Sequence, residues 1–168
     1  AGVKELAPFK KLTLLDLSRT DVTDAGLKEL APLTALTTLG LMGTKVTGAG
    51  LKQLAPHHAL TDLSLYNRDI TDATLKALRE IDRLHALRQA TGADRKRPGK
   101  AAEVTKLDLS ETKVTDAGMK ELAALTKLTK LDLYKTKVTS AGLKELAPLK
   151  ALAELRIFGE QVTDATLT

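Results

Sequence analysis

The sequence predicts an α/β solenoid: a right-handed coil whose short parallel strands form one sheet, with short helices behind it. Three observations predict this fold. A 24-residue unit that begins at Leu12 returns at Leu36, Val104 and Leu128, with partial or stretched copies in the remainder. Inside each unit the apolar residues fall first two apart and then three apart. No single unit carries enough apolar surface to fold alone.

Numbering the unit from its first leucine, position 4 is Leu15, Leu39, Leu63, Leu107, Leu131 and Leu155, and position 6 is Leu17, Leu41, Leu65, Leu109, Leu133 and Ile157. A spacing of two buries one face of a strand. Position 16 (Leu27, Leu51, Leu75, Met119, Leu143, Leu167) and position 19 (Leu30, Leu54, Leu78, Leu122, Leu146) are three apart, the spacing of a helix face. Each unit is therefore a strand, a turn and a helix of about two turns. Burying about seven apolar side chains per unit is worth roughly 10–20 kcal/mol. Ordering the unit's backbone costs about as much. Stacking must supply the difference, and a fixed period of this length signals it. A strand, a helix and a parallel strand coil right-handedly.

The helices carry start and stop signals. Asp24, Asp72, Asp116 and Asp164, with Ser140 in one unit, read as N-caps, and Gly48 as a weaker one. Small residues follow at positions 14 and 15 (Gly26, Gly50, Gly118, Gly142), where helix packs closely on strand. Pro32, Pro56 and Pro148 stop the helices.

The consensus L-x-x-L-x-L-x-x-T-x-V-T-D-A-G-L-K-E-L-A-x-L resembles the leucine-rich repeat, in its short, helix-bearing bacterial variety similar to the ribonuclease-inhibitor type. The resemblance runs in phase over nearly the whole chain. It implies a curved solenoid with strands on the concave face and helices on the convex face, and a role in binding macromolecules. One departure stands out: the usual Asn at position 9 is Thr20, Thr44, Thr112 and Thr136, whose hydroxyls can still bond a backbone group. Arg68 and Glu160 break that column, so their turns should differ.

The expected organisation is one leucine-rich repeat domain over 1–168. A partial repeat spans 1–11; repeats span 12–35, 36–59, 60–103, 104–127 and 128–151; a partial repeat spans 152–168. The third full repeat holds an insertion of about 20 residues near 84–103. Within it, LHALRQA reads as a helix from Leu84 to Ala90 rather than a degenerate strand, because Ala, Leu, Arg and Gln favour helix and Gln89 stands where a core leucine is due. Gly92 ends that helix, and a loop runs to Lys100. Strands 63–65 and 107–109 are expected to pair past the insertion, which bulges from the convex side or one edge. The sheet then has about six consecutive strands.

Composition excludes several function classes. The chain has 168 residues, no cysteine and a net charge of +5, much of it a lysine column at position 17 read as a solvated convex face. Disulfides, thiol catalysis and cysteine-ligated metals are excluded. No apolar run approaches the length of a membrane span. No signal-peptide pattern opens the chain, and the lack of an initial Met suggests processing or a piece of a longer array. Both ends stop inside a unit, without polar capping units.

Candidate sites lie first on the strand face opposite the core, at positions 3, 5 and 7. Position 7 holds Met42 and three of the chain's four aromatics, Tyr66, Tyr134 and Phe158; the fourth, Phe9, occupies a core position. Exposed aromatics on a rigid sheet are typical protein-binding anchors. Flanking them are Asp16, Asp108, Asp132, Lys106, Lys130 and Arg156. Asp108 and Asp132 are adjacent, and Lys106 and Lys130 are expected to compensate them. A hard cation needs six or more oxygens, so no metal is expected there. Arg95, Lys96, Arg97 and Lys100 form a basic loop that could touch phosphate; without interleaved aromatics, a solvated loop outweighs a nucleic-acid site. His57 should be half-buried, His58 exposed and His85 in the insert helix. No catalytic constellation, cofactor or enzymatic activity is expected. The reading is a module that binds another protein on its concave face. Self-association through the chain ends is the alternative, and weak binding of nucleic acid or an acidic surface through the basic loop comes third.

Overall fold

The structure, a computed structural model, describes residues 2–158. Expectations for Glu160, Asp164 and Leu167 lie outside those residues. Six repeat strands recur at the expected places: β1 (Leu14–Asp16), β2 (Thr38–Gly40), β3 (Asp62–Ser64), β5 (Lys106–Asp108), β6 (Lys130–Tyr134) and β7 (Glu154–Phe158). β4 is Ala90–Thr91. Helices α1 (Asp24–Lys28), α2 (Gly48–Leu51), α3 (Asp72–Glu80), α4 (Asp116–Met119) and α5 (Ser140–Lys144) follow the repeat strands, and 3-10 turns at Lys52–Leu54 and Lys120–Ala124 extend α2 and α4.

The strands pair in parallel and in repeat register: Leu15 with Leu39, Leu39 with Leu63, Leu107 with Leu131, and Leu131 with Leu155. The spacing of two buries Leu39, Leu41, Leu63, Leu107, Leu109, Leu131 and Leu133. The spacing of three brings Leu27, Leu30, Leu51, Leu54, Leu75, Leu78, Met119 and Leu122 into the same core from the helices. The outermost described turns bury less: Leu12, Leu15 and Leu17 are half-buried, and Leu155 is exposed. Phe9, expected in the core, is 59% exposed, since no strand leucines lie beneath it in the short segment it belongs to.

Position-9 threonines bond backbone as expected. Thr20, Thr44, Thr112 and Thr136 each donate the hydroxyl to the position-6 carbonyl three residues back, at 2.6, 2.9, 2.6 and 2.8 Å. Arg68 breaks the column, and there the chain makes a 3-10 turn at Asn67–Asp69 instead.

The helix caps correct the sequence reading. The N-caps of α1 to α5 are Thr23, Thr47, Thr71, Thr115 and Thr139, one residue earlier than expected. The aspartates are the first helical residues and serve the neighbouring turn. Asp24 accepts the N–H and hydroxyl of Thr47, both at 2.7 Å. Asp116 does the same for Thr139, both at 2.6 Å. Each carboxylate also needs a glycine in the next turn: a Cβ on Gly50 would sit 2.2 Å from Asp24 Oδ1, and one on Gly118 or Gly142 2.4 Å from Asp72 or Asp116. Where the aspartate is missing, the glycine is too. Gly48 stands in its place, the next turn carries Thr74, and Thr71 and Thr74 form a capping box.

The 84–103 segment departs most from expectation. β3 and β5 do not pair; the repeat strands divide into β1-β2-β3 and a second sheet ordered β4-β5-β6-β7. The predicted helix is a single 3-10 turn, Leu84–Ala86. Leu87 then bridges Leu63 in parallel, 24 residues on, and Arg88 N–H donates to the Leu63 carbonyl at 3.0 Å. The chain turns, and β4 runs antiparallel to β5, with Ala90 opposite Leu107. The segment thus lies between β3 and β5 on the strand side rather than bulging from the back or an edge. Helix propensities differ by tenths of a kcal/mol per residue, whereas burying Leu84 and Leu87 is worth about 2 kcal/mol each. Burial decides, and a 3-10 turn followed by one strand-like bridge at Leu87 forms in place of the helix. On the helix side the turns close past the segment: Thr71 bridges Lys113, and α3 packs on α4.

Candidate functional site on the strand face

Positions 3, 5 and 7 of the repeat strands face away from the leucine core. On β6 and β7, Tyr134 and Phe158 stand opposite each other in register. Their ring centroids are 5.4 Å apart at 52°. Phe158 is 68% exposed, the most exposed large apolar side chain among the described residues. Cations cover Tyr134: the Arg156 guanidinium lies 4.6 Å and the Lys135 ammonium 5.1 Å from its ring centre. These contacts fix ring orientation as well as adding attraction.

Ion pairs knit the same face. Arg156 bonds Asp132 at 3.1 Å, Lys130 bonds Glu154 at 2.7 Å, and Lys135 bonds Glu111 at 3.1 Å. The Glu154 pairing raises the Lys130 ammonium above its ordinary value and lowers the Glu154 carboxyl, through the hydrogen bond first and the opposite charge second. Asp108 and Asp132 do lie side by side in register. Asp132 is compensated by Arg156, which bonds it, and by the charge of Lys130, as expected, although Lys130 itself bonds Glu154. The column has a further role that sequence spacing did not reveal. Asp16, Asp108 and Asp132 each accept the N–H two residues on, from Ser18, Ser110 and Tyr134, all at 2.9 Å. A cavity of about 430 Å³ lies beside these groups, lined by Lys130, Asp132, Ala153, Glu154 and Arg156.

Other expected site residues are placed differently. Met42 and Tyr66 are half-buried. Tyr66 lies under the Arg68 guanidinium, 4.3 Å from its ring centre, and against Gly43, so much of its surface is used within the chain. Of the basic loop, Arg95, Lys96 and Lys100 are exposed. Arg97 is committed inward: it donates to the carbonyls of Thr61 (2.8 and 3.2 Å), Ala86 (2.9 Å), Leu87 (3.2 Å), Arg88 (3.1 Å) and Ala90 (3.0 Å). It holds the 84–91 segment against β3. Glu111, Lys135 and Glu154 were missed from sequence; their signal was the continuation of the position-3 and position-8 columns beside Tyr134.

His57 is fully buried rather than half-buried, and His85 is 3% exposed, on the 3-10 turn rather than a helix. His58 is exposed as expected. Among the described residues, no three His, Asp or Glu side chains are placed to hold a metal ion. No helix among them is long and apolar enough to cross a membrane.

Comparison with known proteins agrees with this architecture. The family model described as leucine rich repeat matches residues 10–31, 104–123 and 124–147. No curated protein matches the sequence. Among solved structures, the chain is similar to internalin C2 from Listeria monocytogenes, with 24% identity and a TM-score of 0.53, covering 94% of this chain and 56% of that one. A second internalin of the same organism, inlF, matches at 19% identity and a TM-score of 0.48, covering 94% of this chain and 51% of that one. The chain spans a little over half the length of these internalin chains. Leucine-rich repeat domains are generally protein-interaction modules. With its 24-residue period and its parallel strands in repeat register, this chain has the fold of a leucine-rich repeat solenoid, and the three matched segments are similar to that family's repeats.

Proposed function

We propose that this protein binds a protein partner on the concave, strand-bearing face, with the contact centred on Tyr134 and Phe158. The observation that carries the reading is a 68%-exposed Phe158 tilted against a cation-braced Tyr134, both on strands. Aromatic anchors on a preorganised surface lose little entropy on binding and bury much apolar area. Lys130, Asp132, Glu154 and Arg156 supply a polar rim already paired within the chain, so a partner meets few unbalanced charges there. Asp16, Asp108, Lys106, Met42 and Tyr66 extend the face toward the amino end.

Polypeptide ligands selected from a displayed library test the reading. Tyr134→Ala with Phe158→Ala should weaken those ligands by about a hundredfold, with the circular dichroism spectrum unchanged. Equal affinity for the folded variant would place the contact elsewhere.

A second reading, self-association through the chain ends, has its own support. A cavity of about 780 Å³ at the amino-terminal turns is lined by Val3, Leu6, Leu15, Leu17, Val22 and Gly26. Light scattering over a wide concentration range separates the readings: mass that rises with concentration, and stops rising when Leu15 and Leu17 are covered by an appended polar capping repeat, supports association.

A further inference from the structure

All three histidines of the chain gather about one guanidinium, that of Arg83. Arg83 is itself 6% exposed. Its Nε donates to the His57 carbonyl at 3.1 Å, and its Nη2 lies 2.9 Å from His58 Nδ1. A guanidinium only donates, so His58 Nδ1 accepts and carries no proton. His57 Nε2 is 3.0 Å from the Leu30 carbonyl, which places the proton on Nε2 and leaves Nδ1 as a bare lone pair. That Nδ1 is buried without a hydrogen-bond partner among the described residues, and His85 Nδ1 is likewise.

The arrangement disfavours a second cation. The groups facing His57 are Arg83, His58 and the backbone of Leu30 and Leu54. Those facing His85 are Arg83 and Arg97, which oppose a proton, and Asp82 and Glu103, which favour one. Arg83 immediately precedes the Leu84–Ala86 turn, and its grip on residues 57 and 58 fixes the start of the segment that lies between β3 and β5. Leu84, Ala86 and Leu87 are buried there.

We infer that the His57–His58–Arg83–His85 cluster is an acid-sensitive latch that holds residues 84–91 in the sheet at neutral pH and releases them on protonation. A proton on His57 or His85 Nδ1 is buried beside the guanidinium at an atom that has no hydrogen-bond partner among the described residues, and the Leu54 carbonyl near His57 and the Asp82 and Glu103 carboxylates near His85 do not offset the burial. Each event is relieved by moving Arg83, and the segment it anchors, away. Release exposes Leu84 and Leu87 and breaks the bridge between Leu87 and Leu63 of β3. Burial holds both His57 and His85 below the ordinary value of 6.5, and the Arg83 charge adds to it. For such depressed groups the stabilisation is complete above pH 6.5 and is lost as pH falls from there toward the folded-state values.

Amide hydrogen exchange at pH 7.5 and 5.0, corrected for intrinsic rates, tests the latch on the whole chain. Opening of residues 84–91 should rise about tenfold or more at the lower pH, while β6 stays within about twofold. His57→Leu with His85→Leu, the first restoring the leucine of its repeat column, should abolish the pH dependence. Exchange in 84–91 that is indifferent to pH, or that keeps its pH dependence in the folded double variant, overturns the proposal. If the double variant does not fold, imidazole carbon shifts of the native chain decide. His57 and His85 titrating below the ordinary value of 6.5 support the latch, and titration at or above it overturns it.

Discussion

The carboxylate of Asp72 receives both the N–H and the hydroxyl of Thr115, at 2.8 and 2.6 Å, from 43 residues away. It is the same clamp that Asp24 and Asp116 make across 23 residues. The 84–103 segment therefore lengthens the chain between these turns without changing how their helix-side edges stack. Asp72 marks a stacking junction, and the glycine two positions into the next helix is part of it.

A double-mutant cycle on this junction should be strongly non-additive. Asp72→Ala removes two acceptor contacts and should cost about 1–3 kcal/mol. Gly118→Ala places a Cβ 2.4 Å from Asp72 Oδ1 and should cost about 2–3 kcal/mol. The double variant resembles the junction where Gly48 faces a turn carrying Thr74, and it should be more stable than the summed single losses by at least about 1 kcal/mol. Urea denaturation of the four proteins measures the coupling; additive losses would mean that aspartate and glycine act independently.

Acid should weaken the clamps. Burial of Asp116 opposes its ionisation, but hydrogen bonds from the Thr139 hydroxyl and N–H and from Gly142 N–H outweigh that and lower its carboxyl below 3.8. A depressed carboxyl stabilises the fold above its unfolded value and loses that contribution as pH falls through the folded one. Asp116→Asn should therefore be less stable than the native chain at pH 7, with the gap narrowing below about pH 4. Melting temperatures of both proteins from pH 7 to pH 2 provide the check, and a constant gap would count against the clamp.

Arg97→Ala should cost about 2–4 kcal/mol, because five carbonyls lose a charged donor. Arg97→Lys should recover little, since an ammonium cannot span that fan of acceptors. Arg95→Ala and Lys96→Ala, on the exposed side of the loop, should stay within about 0.5 kcal/mol of the native chain. Equal effects at all three positions would show that the loop is held by something other than the Arg97 fan.

Arg19→Gly should stabilise the chain by about 1 kcal/mol. Arg19, Glu111 and Lys135 occupy position 8 with φ of 59°, 57° and 53°, in the left-handed region, and Gly43 holds the same place with φ of 68°. Removing the Cβ relieves that conformation, less the entropy glycine adds to the unfolded chain. Arg19 takes part in no ion pair among the described residues, which makes it the cleanest test; an unchanged or lower denaturation midpoint would show that the turn carries no strain there.

The sequence by itself determined the repeat: its length, its strand and helix phases, the core leucines and the turn threonines. These depend on local periodicity and on burial that recurs identically in every unit, so one unit's pattern forecasts the next. It also placed Tyr134 and Phe158 on the open face, because alternation along a strand leaves no other side. Tertiary structure alone decided what depended on a neighbour. Asp24, Asp72 and Asp116 have the residue type of helix caps, yet their oxygens reach the next turn, because the stacking distance brings a threonine N–H and hydroxyl within bonding range. Arg97 reads as a free charge until four carbonyls of the irregular 84–91 segment and that of Thr61 accept from it. Leu84–Ala90 has the propensity of a helix, but a repeat-spaced Leu87 gains more by burial beside Leu63 than the helix offers, and that gain exists only once the solenoid has formed.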